Sequence, residues 1–243
     1  WVLSIPFLDQ PILAQIRKKM VDAFGGNFSQ IVVGGAPLNA EVEEFFAKIK
    51  FPFTVGYGMT ECAPLISYSE AKDFIPKSSG KMLKGIMEAK IDRPDPNTGV
   101  GEIFVRGENV MSGYYKNPEA TEQILDTEGW LHTGDLGTLD AEGNVFIRGR
   151  NKTMILSANG QNIYPEELEA KLNNMPFVME SLVIDSNGKL IALVCPDYDA
   201  VDAEGLDQKG LEDVMEENRK MLNSMGAAYE NVAKIQLYPH EFE

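Results

Sequence analysis

The sequence predicts a mixed α/β and α+β protein, because the residue pattern changes twice along the chain. Residues 1–76 alternate helix-like and strand-like segments, which is typical of a parallel sheet. Residues 77–150 carry short strands separated by turns, which indicates a barrel-like antiparallel region. Residues 151–243 combine amphipathic helices with a hairpin, the pattern of a small α+β domain. We expect these three ranges to be the parts of the fold.

The first part should contain a helix, a strand, a helix and a strand, in that order. Apolar residues recur at helical spacing in 11–24, and the run QIVVGG (30–35) predicts a short buried strand. Asn39 can cap a helix over 40–50, and FPFTVGYG (51–58) is the next strand. Parallel sheets bind ligands outside the carboxyl ends of their strands. The glycines that end both strands therefore mark a candidate binding site.

Turn residues separate the remaining elements. The strand candidates EIFVRG (102–107) and NVFIRG (144–149) lie between turns of the second part. In the third part, Asn187-Gly188 is a favoured two-residue turn and predicts a hairpin. The segments PEELEAKLNNM (165–175) and LEDVMEENRKML (211–222) have the apolar spacing of amphipathic helices.

Composition and charge exclude several classes of protein. The chain is 44% hydrophobic and 24% charged, which is typical of an ordered globular protein. Its formal net charge is −15, and residues 151–243 hold most of the excess, with 17 acidic against 7 basic side chains. An acidic chain without a basic stripe argues against nucleic acid as a partner.

Cysteine usage and hydropathy bear on the compartment. Cys62 and Cys195 are too few for a disulfide framework and favour a reducing compartment. The sequence has neither an apolar run of about 20 residues nor a secretion signal. We therefore expect a cytoplasmic protein without a transmembrane segment. Peripheral membrane contact through regions outside this chain is left open.

Both ends of the sequence look like cuts through a longer protein. The chain starts with Trp1 rather than Met and stops after YPHEFE (238–243), without a polar tail. We expect a fragment of a longer protein.

Two glycine-rich stretches carry candidate chemistry, and each also has an ordinary structural interpretation. VVGGAPL (32–38) is either a surface for a planar ligand or a tight turn. In TVGYGMTECAP (54–64), the ring of Tyr57 could stack on an aromatic base. Thr60 could donate to a phosphate oxygen, and Glu61 could ligate Mg²⁺, a cation that prefers oxygen ligands. The alternative is a turn threonine and a surface acid.

Two later stretches have the same ambiguity. Asp135 in GWLHTGDLG (129–137) could accept hydrogen bonds from both hydroxyls of a ribose, or it could belong to a turn. We assign no chemistry to His132 in the same stretch. Arg150 and Lys152 lie where the second part gives way to the third, and they are either functional or solvated charges on a linker.

Taken together, the order and spacing of these stretches resemble the adenylate-forming superfamily of acyl-CoA synthetases, luciferases and peptide-synthetase adenylation domains. The resemblance rests on GGAPL, then YGMTE, then TGD, then GR followed by NGQNIYPEELE, and it runs over nearly the whole chain. The form GRNKTMILSANGQNIYPEELE (149–169) looks most like the long-chain fatty-acid–CoA ligase branch.

The resemblance implies a two-step activation of a carboxylic acid. The acid first attacks the α-phosphorus of ATP and forms an acyl-adenylate and pyrophosphate, and the thiol of coenzyme A then displaces AMP. The implied cofactors are ATP or AMP, Mg²⁺ and coenzyme A, and the implied partner is a long-chain fatty acid. Residues 1–76 would end the nucleotide- and acyl-binding subdomain, 77–150 would be the barrel-like subdomain, and 151–243 would be a mobile C-terminal domain.

The resemblance also implies roles for single residues. The nucleotide site would comprise Gly35, Ala36 and Pro37 along the adenine, Tyr57 and Gly58 around the base, Thr60 at the α-phosphate, Glu61 at Mg²⁺, and Asp135 and Arg150 at the ribose. Lys152 matches the hinge about which the C-terminal domain swings between the two steps. Residues 153–169 would help to form the coenzyme A tunnel.

Two motifs of the resembled family are not found in this sequence. One is the phosphate loop upstream of GGAPL, and the other is the adenylation lysine near the end of the family's C-terminal domain. We therefore expect the isolated chain to be inactive. The alternatives are an acyl-carrier-protein or aryl-acid ligase of the same superfamily, or a non-catalytic nucleotide-binding module.

Overall fold

The computed structural model describes residues 9–157 and 159–242, and the chain divides into two compact units between Ile147 and Arg148. We expected the third part of the fold to start at 151. Within the second unit, Arg148 Nε and Glu167 Oε1 form a salt bridge 2.7 Å long. The three-part division of the chain stays a prediction.

The described residues contain six α-helices and thirteen strands, joined by turns. The helices are α1 Asp9–Ala23, α2 Ala40–Lys48, α3 Pro118–Ile124, α4 Pro165–Leu172, α5 Tyr198–Ala203 and α6 Gln208–Ser224. The strands of the first unit are β1 Ile31–Val33, β2 Phe53–Val55, β3 Tyr57–Gly58, β4 Leu65–Ser67, β5 Met87–Asp92, β6 Gly101–Gly107, β7 Leu131–Leu139 and β8 Val145–Arg150, which continues into the second unit. Those of the second unit are β9 Ile155–Leu156, β10 Asn162–Ile163, β11 Val178–Ser186, β12 Lys189–Pro196 and β13 Val232–Leu237.

The predicted helix–strand–helix–strand order is confirmed, and β1 and β2 pair in parallel. Asn39 caps α2 as expected, since its side-chain oxygen accepts hydrogen bonds from the backbone N–H groups of Glu41 and Val42 at 2.9 and 3.2 Å. The core beside this pair is mainly aromatic and aliphatic. Its buried members are Leu13, Ile49, Phe51, Phe53 and Val55.

Two local predictions in this segment are wrong. The strand QIVVGG is not buried on both faces, because Ile31 packs on the core while Val32, pointing to the opposite face, is 50% exposed. FPFTVGYG is not one strand but two, which are separated at Gly56. The first pairs with β1, and the second, β3, pairs antiparallel with β4.

The antiparallel region of the first unit is a sheet with strand order β5-β6-β7-β8. Strand β6 pairs antiparallel with both β5 and β7. Fully buried aliphatic side chains hold this sheet to the turn that carries the YGMTE motif, since Cys62 and Ile66 belong to the same core. The fully buried strand members of that core are Ile103, Val105, Leu131 and Val145.

The second unit confirms the predicted hairpin and helices. Strands β11 and β12 pair antiparallel, and Asn187 and Gly188 have φ angles of +57° and +76° at the turn between them. Helix α4 covers most of PEELEAKLNNM, and α6 contains LEDVMEENRKML. Strand β13 was not predicted, and it pairs parallel with β12. The helices cover one face of this sheet through Leu172, Leu211 and Leu222.

Candidate functional site

The two glycine-rich strand ends lie side by side. Val33 and Val55 end the parallel strands in register, and the backbone N–H of Gly56 donates to the carbonyl oxygen of Val33 at 2.9 Å. A β-carbon on Gly34 would lie 3.4 Å from the carbonyl oxygen of Gly56. Gly35 has a φ of +89°, a conformation that favours glycine. Neighbouring Ala36 and Pro37 are exposed at this edge.

The segment after β3 is a tight turn that presents Thr60 and Glu61. A 3₁₀ turn covers Thr60–Cys62, and the backbone N–H of Met59 donates to the carbonyl oxygen of Pro64 at 2.8 Å. Asn109, which follows β6 in the chain, stabilises this turn. Its side-chain amide donates to the carbonyl oxygens of Cys62 and Leu65, both at 2.7 Å. Thr60 is exposed, whereas Glu61 is partly buried.

Cys62 is a structural residue of this turn. It is fully buried in the core and forms no disulfide. Burial, together with the charge of Glu61, raises the pKa of the Cys62 thiol to about 11. The side chain therefore remains a neutral thiol near pH 7 and is a poor nucleophile.

Gly58 owes its lack of a side chain to a close approach of the backbone. A β-carbon at this position would lie 2.1 Å from the carbonyl oxygen of Pro64 and 3.0 Å from the α-carbon of Leu65. The glycine is therefore needed for the β3–β4 pairing itself. Its part in nucleotide binding stays a prediction.

Gly58→Ala should destabilise the protein by about 1–3 kcal/mol, because the backbone of β4 must move to make room for the methyl group. The denaturant midpoint of the purified protein measures this. Gly56→Ala is the control, since its β-carbon would meet only ordinary contacts of 3.4 to 3.6 Å. Equal stability of the two variants would contradict the steric explanation.

A bulge in β7 positions Asp135. Glu102 and Phe104 of β6 pair with Leu136 and His132 of β7, so β7 has two more residues than β6 between these pairs. The extra length is in Thr133–Asp135, where Gly134 adopts a φ of +74°.

Hydrogen bonds hold the bulge in place. The hydroxyl of Thr133 donates to the carbonyl oxygen of Ile103 at 2.7 Å and accepts from the backbone N–H of Asp135 at 3.1 Å. The backbone N–H of Gly134 donates to a carboxylate oxygen of Glu102 at 3.1 Å. The bulge thus fixes the direction of the Asp135 side chain.

Tyr57 and Asp135 are in direct contact. The hydroxyl of Tyr57 donates to Oδ2 of Asp135 at 2.7 Å, although the two residues are 78 positions apart. Burial, then the charge of Asp135, raises the pKa of Tyr57 well above its usual range, so the hydroxyl keeps its proton and remains a donor. The proposed base-stacking ring and the proposed ribose acceptor are therefore neighbours.

Glu61 is in contact with Tyr114, a tyrosine that was not predicted as a site residue. The hydroxyl of Tyr114 donates to Oε1 of Glu61 at 2.6 Å, and this bond, helped by partial burial, raises the pKa of Tyr114. Asn109 was also missed. Both residues lie in ENVMSGYYKNPEAT (108–121), a stretch whose Gly-Tyr pair and Asn-Pro helix start are the only local signals of a special structure.

Arg150 and Lys152 belong to the second unit, and Lys152 is exposed. The segment turns on the carbonyl oxygen of Arg150, which accepts from the backbone N–H groups of Thr153 and Met154 at 3.3 and 3.1 Å. Beyond this turn, β9 and β10 form a short antiparallel hairpin. This hairpin, with the turn between its strands, contains the NGQNI stretch (159–163). Ala158, which belongs to the proposed coenzyme A segment 153–169, lies outside the described residues.

Comparison with known proteins decides the family. The family model described as AMP-binding enzyme matches residues 5–115. Over 215 residues the chain is 37% identical to 4-coumarate-CoA ligase 2 of Narcissus pseudonarcissus, covering 81% of this chain and 37% of that protein. The chain belongs to the adenylate-forming superfamily.

Other members of the superfamily match over similar lengths. A long-chain-fatty-acid–CoA ligase of Rattus norvegicus is 32% identical over 208 residues, which cover 84% of this chain and 30% of that protein. The solved O-succinylbenzoate coenzyme A synthetase of Bacillus subtilis, in complex with ATP and magnesium, has a TM-score of 0.68 and is 30% identical. That match covers 91% of this chain and 46% of the other.

The chain spans about a third of the length of these curated relatives. The matches include ligases for aromatic acids and for long-chain fatty acids, so the branch stays a prediction. Within residues 9–157 and 159–242, no helix is long and apolar enough to cross a membrane.

Proposed function

We propose that this chain forms part of an enzyme that activates a carboxylic acid with ATP and transfers the acyl group to coenzyme A. The observation that carries the proposal is the hydrogen bond between Tyr57 and Asp135. It joins an aromatic ring and a buried carboxylate at the place where two glycine-ended parallel strands meet, which is where such sheets bind nucleotides.

The chemistry of the side chains fits ATP. Tyr57 supplies a ring for the adenine, and Asp135 supplies acceptor oxygens for the ribose hydroxyls. Gly35, Ala36 and Pro37 are exposed just after β1, and Thr60 supplies an exposed hydroxyl for a phosphate oxygen. Arg150 is proposed to support the same sugar. These residues bind and orient the nucleotide, and no covalent bond to the protein is needed.

Glu61 fits Mg²⁺ as one oxygen ligand. The described residues contain no cluster of three or more His, Cys, Asp or Glu side chains that could hold a metal ion. Mg²⁺ bound with a nucleotide is usually held by one or two carboxylates together with phosphate oxygens, so a single glutamate is sufficient. When bound, the ion would neutralise negative charge on the phosphates while the acid attacks the α-phosphorus and pyrophosphate leaves.

The acid is proposed to be a long-chain fatty acid. The segment GRNKTMILSANGQNIYPEELE and the similarity to the rat long-chain ligase support this choice. An aromatic acid is the second candidate, because 4-coumarate-CoA ligase 2 of Narcissus pseudonarcissus is 37% identical to this chain.

A substrate panel on the full-length protein tests the function. Pyrophosphate release and thioester formation are followed separately with palmitate, 4-coumarate and a short-chain acid, each with ATP, Mg²⁺ and coenzyme A. Activity highest on palmitate supports the fatty-acid proposal, and activity highest on 4-coumarate supports the aryl-acid alternative. A protein that binds AMP but releases no pyrophosphate with any acid would be a binding module instead.

Asp135→Ala should weaken the binding of AMP by about ten- to a hundredfold, since a charged acceptor for hydroxyl groups contributes roughly 1.5–3 kcal/mol. Calorimetric titration with AMP measures the loss. Tyr57→Phe is the matched control, because it removes the same 2.7 Å hydrogen bond but keeps both the ring and the carboxylate. If Asp135→Ala binds AMP as tightly as the wild type, Asp135 is a structural residue of the bulge.

A further inference from the structure

We propose that Tyr114 is a positioning residue for Glu61, which it orients toward the magnesium ion of the bound nucleotide. The inference rests on the proposed function, in which Glu61 is the magnesium ligand. Its basis is the 2.6 Å hydrogen bond from the hydroxyl of Tyr114 to Oε1 of Glu61.

The bond occupies one carboxylate oxygen and leaves Oε2 for a cation. A glutamate side chain has three rotatable bonds, and ordering it on binding a metal costs conformational entropy. A donor that already holds Oε1 removes part of this cost and fixes the direction of Oε2. Such outer partners of metal ligands typically contribute ten- to a hundredfold to metal affinity.

The backbone on both sides of the bond is also fixed. The backbone N–H of Met111 donates to the carbonyl oxygen of Glu61 at 2.8 Å, so the segment that carries Tyr114 is attached to the turn at a second point. Asn109 supplies a third attachment through its two bonds to the turn. Tyr114 therefore belongs to a segment that is hydrogen-bonded to the turn of Glu61 at three points.

The start of α3 holds the other side of Tyr114. The backbone N–H of Tyr114 donates to the hydroxyl of Thr121 at 2.9 Å, and that hydroxyl donates to the carbonyl oxygen of Asn117 at 2.9 Å. Gly113 has a φ of +140°, and a β-carbon there would lie 2.9 Å from the side chain of Thr121. The glycine lets the chain pass close to α3.

Tyr115 provides an internal control. Tyr115 follows Tyr114 directly in the chain, yet it is 88% exposed. The ammonium group of Lys116 lies 5.2 Å from the centroid of its ring. Removing its hydroxyl should leave Glu61 unaffected. Comparison of Tyr114→Phe with Tyr115→Phe therefore distinguishes loss of the hydrogen bond to Glu61 from loss of any tyrosine hydroxyl in this segment.

Calorimetric titration of the full-length protein tests the proposal. ATP binding is measured over a range of MgCl₂ concentrations and in EDTA, and AMP binding is measured without metal. Tyr114→Phe is expected to raise the Mg²⁺ concentration needed for half-maximal enhancement of ATP binding by about ten- to a hundredfold. The affinity for AMP should not change, and Tyr115→Phe should behave as the wild type in every titration.

Glu61→Gln separates the two proposals. If it leaves the Mg²⁺ dependence of ATP binding unchanged, Glu61 is not the metal ligand, and the role of Tyr114 falls with it. If Glu61→Gln abolishes the dependence while Tyr114→Phe keeps that of the wild type, only the positioning role is overturned. An equal loss of ATP and AMP affinity in Tyr114→Phe would also overturn it, because a structural defect acts on both nucleotides.

Discussion

Glu61→Gln in the full-length protein is expected to lower the rate of adenylation by roughly 10²- to 10³-fold. The substitution removes the negative charge that would hold Mg²⁺ at the phosphates, where charge develops in the transition state. The new side chain has nearly the same shape, and its amide oxygen can still accept the hydrogen bond from Tyr114. The loss should therefore come from the charge and not from the fold.

Pyrophosphate release at saturating Mg²⁺ measures this effect. Glu70→Gln is a suitable control, because Glu70 is an exposed acid of the same unit whose carboxylate forms a salt bridge with Lys72 at 2.7 Å. A near-normal rate in Glu61→Gln would show that Glu61 does not ligate the metal. A thermal transition at the wild-type temperature would establish that the variant is folded.

Lys152→Pro is expected to stop thioester formation while leaving the first release of pyrophosphate largely intact. If the second unit turns about this residue between the two steps, a proline that fixes φ near −65° should trap one orientation. We expect the adenylating orientation to be the one that persists. The turn on the carbonyl oxygen of Arg150 should survive, because its donors belong to Thr153 and Met154.

Single-turnover measurement of each half-reaction decides the role of Lys152. Lys152→Ala is the control, since it removes the exposed charge but keeps the freedom of the backbone, and it should retain more of the second step than the proline variant. Equal losses in both half-reactions, with the fold intact by circular dichroism, would contradict the hinge assignment.

Much of the local structure could be predicted from the sequence. The Asn39 cap, the hairpin at Asn187-Gly188 and the amphipathic helices α4 and α6 all depend on residues close together in the chain. The separation of β3 from β2 at Gly56 could not be predicted in this way. Both strands begin with an aromatic residue, Phe53 and Tyr57, and only their different pairing partners divide them.

The candidate site shows the same limit. The motifs named Tyr57, Glu61 and Asp135 one by one, but each also had an ordinary interpretation as a turn or surface residue. Tyr114 lies outside every motif that carries the resemblance. Its contact with Glu61 joins positions 53 residues apart and depends on how the segment before α3 lies against the YGMTE turn.

The sequence by itself determined the order of the elements, the glycine-ended strands and the membership in the adenylate-forming superfamily, because these follow from local spacing and motif order. Only the tertiary structure decided that Asp135 is directed by a bulge in β7, that its carboxylate meets Tyr57, and that Gly58 is required by the carbonyl of Pro64. These features depend on strand register and on backbone contacts between segments. Strand register is set when a sheet packs against its core, and Tyr57 and Asp135 come from stretches that are 78 positions apart in the chain.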